Sequence, residues 1–275
     1  MPVIATNQWL NRYLKNKIGL PDYDLSLQKN IFGKNLCPYF THAGQDQIHQ
    51  HLMQNGLFLP DPTDYENIIT ICSKDFWGIA ECELNQLKQT WNGPDIPVFI
   101  FPSNIKNDQL RVELGGKSGV AHQDKLFLFI SSTNSQKELQ ALIVHEYNHV
   151  CRLNYLNQLE RSVSLLDAMV LEGLAELAVL NRFGEEFSAK WTSLYSVEEA
   201  LAQWEKSFKA NLHVKKANTR HNVLMYGNDS SIPSWMGYNI GFHLVASAIK
   251  NNKLDGDQLF HLPSETILEQ SRFSV

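Results

Sequence analysis

The sequence predicts an α+β fold, and two observations predict it. Three short runs read as strands: "IPVFIFPS" (96–103) and "KLFLFISS" (125–132) by their β-branched and aromatic residues, and "LRVELGG" (110–116) by its alternation. On both sides of them, apolar residues recur at helical spacing, and from Ser135 onward they do so for most of the chain. The order is helices, a small sheet, then helices. The expected division is a helical N-terminal region, 1–92, and a second domain, 93–275, holding the sheet (96–132) and a mainly helical C-terminal part.

Each element has a local reason. "NQWLNRYLKNKIG" puts Trp9, Leu10, Tyr13 and Leu14 on one helical face. "AGQDQIHQHLMQNGLF" is a second short helix that ends at Gly56. Residues 61–91 read as one or two helices opened by Asp61 as cap and Pro62 at the first helical position. The first run of the sheet is short and apolar throughout, the second alternates and stops at a glycine turn, and "GGKSGVAHQD" leads to the third as a loop or strand edge. A helix over 135–156 starts at Ser135, with Glu138 three residues on as the partner of a capping box. Further helices cover 162–183, stopped near Gly184, then 196–212 and 233–252.

Composition narrows the function. The chain has 275 residues, 43% of them hydrophobic and 19% charged, enough to build a core and unlike a disordered chain. A formal net charge of -5 gives no pull toward nucleic acid or an anionic membrane, and "KKANTR" (215–220) reads as a solvated loop. The four cysteines, Cys37, Cys72, Cys82 and Cys151, form no C-x-x-C, which removes thiolate zinc knuckles and redox pairs. No apolar run nears the ~20 residues of a membrane span, and the opening "MPVIATNQWLNRYLKNK" lacks a secretory pattern. A cytoplasmic protein with reduced thiols is expected.

The chemistry begins at "ALIVHEYNHVCRL" (141–153), which carries H-E-x-x-H as His145, Glu146 and His149. On a helix, residues four apart lie about 40° apart around the axis, so the two imidazoles project side by side. Two imidazoles so placed can hold one tetrahedral zinc. Glu146 stands to one side, where a base must be to take a proton from a polarised water. The run "LQALIV" before the motif makes this helix at least half buried, and unpaired buried charge is costly. Cys151 points about 200° away from His149 and is expected to pack.

A third ligand must come from downstream: Glu160, Asp167, Glu172 or Glu176. Glu160 sits in a polar turn, and Asp167 suits a helix cap. Glu172 and Glu176 lie four apart inside "DAMVLEGLAELAVL", where two buried like charges would repel. They are comfortable if Glu172 binds a cation and Glu176 accepts a hydrogen bond from a ligating histidine. Gly173 weakens the helix yet lets another backbone come close. Two histidines and one glutamate leave a fourth position open, as in catalytic zinc sites.

"HEYNHVCR" followed by "LEGLAEL" resembles the gluzincin metallopeptidases, and more closely the bacterial YjaZ-type predicted zinc-dependent proteases. The resemblance runs from about Ile96 to Ala248 and is looser over residues 1–90. It implies a thermolysin-like (zincin) fold with an edge strand over a cleft. It also implies one Zn2+ per chain on His145, His149 and Glu172, with Glu146 as general base. The expected activity is peptide hydrolysis by an endopeptidase or oligopeptidase, with a peptide or protein paired along the edge strand near 117–130. Twenty-two residues separate His149 from Glu172, a little more than in the aminopeptidase branch, and no G-x-M-E-N motif precedes the helix. Both points argue against an aminopeptidase.

Gluzincins also place a Tyr or His from the C-terminal part against the developing oxyanion. Candidates are His221, Tyr226, Tyr238 and His243. Tyr238, after Gly237 at a helix start, is the expected donor, with Tyr226 second. His243 lies about 140° round from Tyr238 on the same helix. His122 is expected on the surface. Two other readings remain: a non-catalytic protein stapled by zinc, and a zinc hydrolase of a non-peptide bond.

Overall fold

The computed structural model describes residues 2–159, 162–227, 230–252 and 256–274. It is α+β and mostly helical, with one three-stranded sheet among the described residues. The chain divides into two compact units, Met1–Thr90 with Asp95–Ile143, and Trp91–Pro94 with Val144–Val275. No described helix is long and apolar enough to cross a membrane.

The first unit holds helices α1 (Thr6–Asn16), α2 (Pro21–Leu36), α3 (Gln45–Asn55), α4 (Asp64–Ser73) and nearly all of α5 (Phe76–Trp91). Its strands are β1 (Val98–Pro102), β2 (Ser118–Ala121) and β3 (Leu126–Ile130), in the order β1-β3-β2. β1 runs parallel to β3, pairing Val98 with Leu126, and β2 runs antiparallel to β3, pairing Ser118 with Phe129. β1 and β3 are buried at every position, hence their continuous apolar runs, whereas β2 is half-exposed at the sheet edge. Phe99, Phe101, Phe127 and Phe129 share one core with Leu10, Tyr13, Phe32, Ile48 and Leu52 of the N-terminal helices. This shared aromatic core groups the sheet with residues 1–90, whereas the sequence expectation had grouped it with 93–275.

Several boundaries differ from expectation. "LRVELGG" is not a strand. Gln109–Glu113 forms a wide helical turn, begun by Asn107, whose side chain accepts the Leu110 N–H and whose carbonyl accepts the Arg111 N–H. Gly115 and Gly116, both at positive φ, then turn the chain back so that the Gly116 N–H reaches the Leu110 carbonyl. The second strand instead falls on "SGVA", inside the segment read as a loop or strand edge. Helix α2 escaped the sequence reading because its apolar residues are interrupted by polar ones and by Gly33, which sits against the Gln45 backbone. The helix expected to open at Asp61-Pro62 begins at Asp64, since Asp61 caps a turn instead: its carboxylate accepts the Thr63 N–H at 2.5 Å.

Helix α6 (Gln136–Tyr155) starts as predicted. The Ser135 N–H donates to Glu138 at 2.8 Å, and the Glu138 N–H donates to the Ser135 hydroxyl at 3.2 Å. The boundary between the two units falls inside this helix, after Ile143.

The second unit contains the rest of α6, then α7 (Leu165–Phe183), α8 (Val197–Gln203), α9 (Thr219–Tyr226), α10 (Met236–Asn252) and α11 (Ser264–Glu269). Ser164 and Asp167 form a reciprocal cap at the start of α7, and Gly184, at φ 88°, ends it. The helix expected over 196–212 is α8, widened at Trp204–Phe208 and tightened at Lys209–Asn211. Helices α7 and α10 touch backbone to backbone. A Cβ on Gly173 would overlap the Gly241 carbonyl, and one on Gly241 would overlap the Met169 carbonyl. The core around this crossing includes Met169, Leu174, Trp204, Leu224, Ile240 and Leu244.

Candidate metal centre

All six residues singled out from the sequence lie in the second unit. One turn of α6 separates His145 from His149, and their Nε2 atoms stand 3.1 Å apart. From α7, Glu172 Oε2 lies 3.2 Å from His145 Nε2 and 3.7 Å from His149 Nε2. Zinc with ligand distances of 2.0–2.1 Å in a tetrahedron requires ligand atoms about 3.3 Å apart. The three spacings bracket that value. Among the described residues, this trio is the one group of three or more His, Cys, Asp or Glu side chains close enough to share an ion. The residues present therefore fit the metal.

Glu176, one turn beyond Glu172, does something different. Its Oε1 is 2.7 Å from His145 Nδ1, the ring nitrogen turned away from the trio, and its Oε2 accepts the Ala189 N–H at 2.8 Å. Both oxygens are thus engaged, and the histidine is held in the tautomer that leaves Nε2 free for an ion. His149 Nδ1 is buried and makes no hydrogen bond to a described residue, so a carboxylate braces only one of the two histidines.

Burial governs the electrostatics. It pushes His149 down to about 4 and so keeps that imidazole neutral, as ligation requires. Burial also opposes charge on His145, but the hydrogen bonds to Glu172 and Glu176 outweigh it and raise that group well above its usual range. A proton there supplies positive charge between two carboxylates, the service a divalent cation would perform. Glu172 is depressed: burial raises it, but His149 and His145 together lower it further. Glu146 is 7% exposed, and burial lifts its carboxyl to about 7, with Glu172 and Glu176 adding to the rise and His145 and Lys216 opposing it. A carboxyl poised near neutrality suits proton transfer.

The other expectations sort themselves by geometry. Asp167 is a cap, with Ser164, Gln158 and Ser264 donating to it, and stays outside the trio. Glu160 lies outside the described residues. The Tyr238 hydroxyl donates to the Tyr226 hydroxyl at 3.0 Å. Tyr238 is raised well above the usual phenol range by burial first, then by the charge of Glu172, and Glu146 contributes too. Its O–H therefore stays protonated, within the field of two carboxylates of the centre. His243 turns to the Tyr195 carbonyl, 3.1 Å away, and His221 is buried on the first turn of α9. His122, in the other unit, pairs with His51, Nε2 to Nε2 at 3.4 Å, and is half-buried where a surface position was expected. Cys151 packs beneath Gly93, where an added Cβ would come within 2.6 Å of its sulfur.

Two contributors went unread. Lys216, taken as part of a solvated loop, is exposed yet lowers Glu146, Glu172 and His149 through its charge. Trp235 packs edge-on against both Tyr226 and Tyr238. Lys216 lies in no motif, so only its position in space reveals it, whereas Trp235 falls in "PSWMGYNIGFHLV", a stretch that shares in the family resemblance but by itself says nothing of the ring's neighbours.

Comparison with known proteins points to a zinc-dependent family. Residues 76–269 match the family model described as "Predicted Zn-dependent protease (DUF2268)". The chain is 37% identical over 237 residues to the uncharacterized protein YjaZ of Bacillus subtilis (strain 168), covering 85% of this chain and 90% of that one. It is 24% identical over 188 residues to the uncharacterized protein YjfC of the same strain, covering 65% of this chain and 62% of that one. No solved structure matches.

Proposed function

This chain belongs to the family of predicted Zn-dependent proteases, and from that premise we propose that it is a zinc metallopeptidase that hydrolyses peptide bonds. One observation carries the reading: His145 Nε2, His149 Nε2 and Glu172 Oε2 lie 3.1–3.7 Å apart beside the buried carboxyl of Glu146. A structural zinc would need no base there.

In this reading His145, His149 and Glu172 hold one zinc ion, and Glu176 orients His145. The ion, when bound, supplies a Lewis acid that polarises the scissile carbonyl and acidifies water. Glu146 takes the proton of the attacking water and hands it to the leaving amine. Its near-neutral carboxyl suits both halves of that transfer, as acceptor first and donor second. Tyr238, kept protonated by burial and by neighbouring carboxylates, donates a hydrogen bond to the oxygen on which negative charge builds. Tyr226 stands behind it as the hydroxyl partner.

The finer assignments rest on the same footing. We place the fold among the thermolysin-like zincins on the H-E-x-x-H helix followed by the glutamate helix. We assign an endopeptidase or oligopeptidase action on the absence from the sequence of a G-x-M-E-N motif. Four free cysteines suit the reduced cytoplasm.

The test joins metal content to turnover. Wild type should carry one zinc per chain by mass spectrometry and cleave peptides from a mixed library. Glu146→Gln should keep the zinc and lose hydrolysis by roughly two to four powers of ten. Wild-type turnover in that variant would sink the mechanism.

A further inference from the structure

Helix α2 carries a stripe of mixed character away from the metal centre. Leu27, Asn30, Ile31 and Lys34 recur at i, i+3, i+4 and i+7, so they share one face. Ile31 is buried and Leu27 half-buried, while Asn30 and Lys34 are exposed. Together with Arg12 and Asn16, four apart on α1, this stripe lines a depression of about 420 Å³. Gln45, the first residue of α3, belongs to the same lining. A Cβ on Gly33 would stand 3.1 Å from the Gln45 carbonyl, so α2 and α3 meet closely there. All of these residues lie within the first unit.

The charge of the depression is one-sided. Its lining includes two cations, Arg12 and Lys34, and no carboxylate. Among the described residues, neither the Arg12 guanidinium nor the Lys34 ammonium has a hydrogen-bond or ion-pair partner. Asp46, the acid next to Gln45, is taken by Lys29 at 2.7 Å. Two unpaired like charges lining one concavity repel each other, although the protein as a whole has a net charge of -5. A concave surface of one sign focuses its field on an ion of the other. Carboxamides add to the lining. Asn16 Nδ2 donates to the Arg12 carbonyl and Asn35 Nδ2 to the Ile31 carbonyl, each at 2.7 Å, which fixes both side chains against their own helices. Each amide still has a second N–H and a carbonyl oxygen to offer.

We propose that this depression between α1, α2 and the start of α3 binds a small organic phosphate monoester, its phosphate on Arg12 and Lys34 and its organic body on Leu27 and Ile31. A monoester carries about -1.5 to -2 charges at neutral pH and three acceptor oxygens on one centre. That matches two cations supported by amide donors. A single carboxylate brings only one charge. Free phosphate would leave most of the volume unfilled, because sites of roughly 300–1,000 Å³ take small organic molecules. The apolar pair gives such a body a surface to cover. This site is independent of the peptidase reading, and the failure of either leaves the other standing.

The test is isothermal titration calorimetry on zinc-loaded full-length protein at low ionic strength, with phenyl phosphate, inorganic phosphate and malonate as probes. Phenyl phosphate should bind one per chain, more tightly than inorganic phosphate and malonate, and more weakly as salt is added. Arg12→Gln and Lys34→Gln should each weaken it roughly tenfold, and the double variant should abolish it. Both side chains are exposed, so these variants should keep the fold, which circular dichroism verifies. Lys15→Gln removes an exposed cation from α1 outside the lining and should leave binding unchanged. Four results overturn the inference. Phenyl phosphate might bind the double variant as it binds wild type, which would place it elsewhere, the metal included. Lys15→Gln could weaken binding as much as Arg12→Gln, which would make the attraction diffuse. Inorganic phosphate binding as tightly as phenyl phosphate would remove the organic body, and malonate doing so would remove the phosphate.

Discussion

Glu172 and Glu176 sit one helical turn apart, and substituting each separates ligation from support. Glu172 Oε2 faces both Nε2 atoms, so Glu172→Ala removes one of the three proposed ligands. Structural zinc sites with four ligands bind with about 10–16 kcal/mol, so one ligand carries roughly 3 kcal/mol and its loss weakens zinc two to three powers of ten. Glu176 faces the opposite ring nitrogen of His145 and also takes the Ala189 N–H, so both its positions must be acceptors. Glu176→Gln offers one acceptor and one donor. Either the Ala189 N–H loses its partner, or the amide NH2 meets His145 Nδ1 and drives that proton to Nε2, where an ion must bind. Loss of such support weakens metal binding about 10- to 100-fold, or about 1.4 to 2.7 kcal/mol. Zinc affinity is measured by competition with a chromogenic chelator at fixed pH, on variants shown to be folded. The expected order is wild type, then Glu176→Gln, then Glu172→Ala. Zinc retained at wild-type affinity in Glu172→Ala but lost in Glu176→Ala would refute the assignment, and an unchanged affinity in Glu176→Gln would refute the tautomer argument.

Three further outcomes follow from the geometry. Tyr238→Phe should lower kcat about 10²- to 10³-fold at unchanged zinc content, and adding Tyr226→Phe should cost little more, because the two hydroxyls act as one hydrogen-bonded pair; fully multiplicative losses in a double-mutant cycle would contradict this. Gly241→Ala should destabilise the second unit by about 1–3 kcal/mol or more, since its Cβ would overlap the Met169 carbonyl, and an unshifted thermal melt would contradict the backbone contact. Burial raises the Asp167 carboxyl, but hydrogen bonds from Ser164, Ser264 and Gln158 outweigh it and hold it below its ordinary value. Its stabilisation is therefore complete above the unfolded carboxyl pKa of about 3.9 and is lost as pH falls through the lower folded value. Urea denaturation between neutral and acid pH should show a flatter acid limb in Asp167→Asn, and an identical limb would remove Asp167 from the account.

Local chemistry is written in the order of residues, and that part was legible without coordinates. Side chains four apart on a helix must share a face, so His145 and His149 were paired by spacing alone. Ser135 with Glu138 announced the start of their helix, and a glycine beside Glu172 announced a close backbone, which proved to be that of Gly241. Long-range placement was not legible, because it depends on which elements come to lie against one another. "LRVELGG" alternates like a strand, yet Asn107 and two glycines at positive φ make it a helical turn. The sheet joins the N-terminal helices because four phenylalanines share their core. Lys216 belongs to no motif, and the neighbours of the Trp235 ring follow from none. The charge of Lys216 acts on Glu146, Glu172 and His149, which lie far from it in the chain, and the ring of Trp235 meets Tyr226 and Tyr238; a sequence carries no signal for a neighbour made by packing alone.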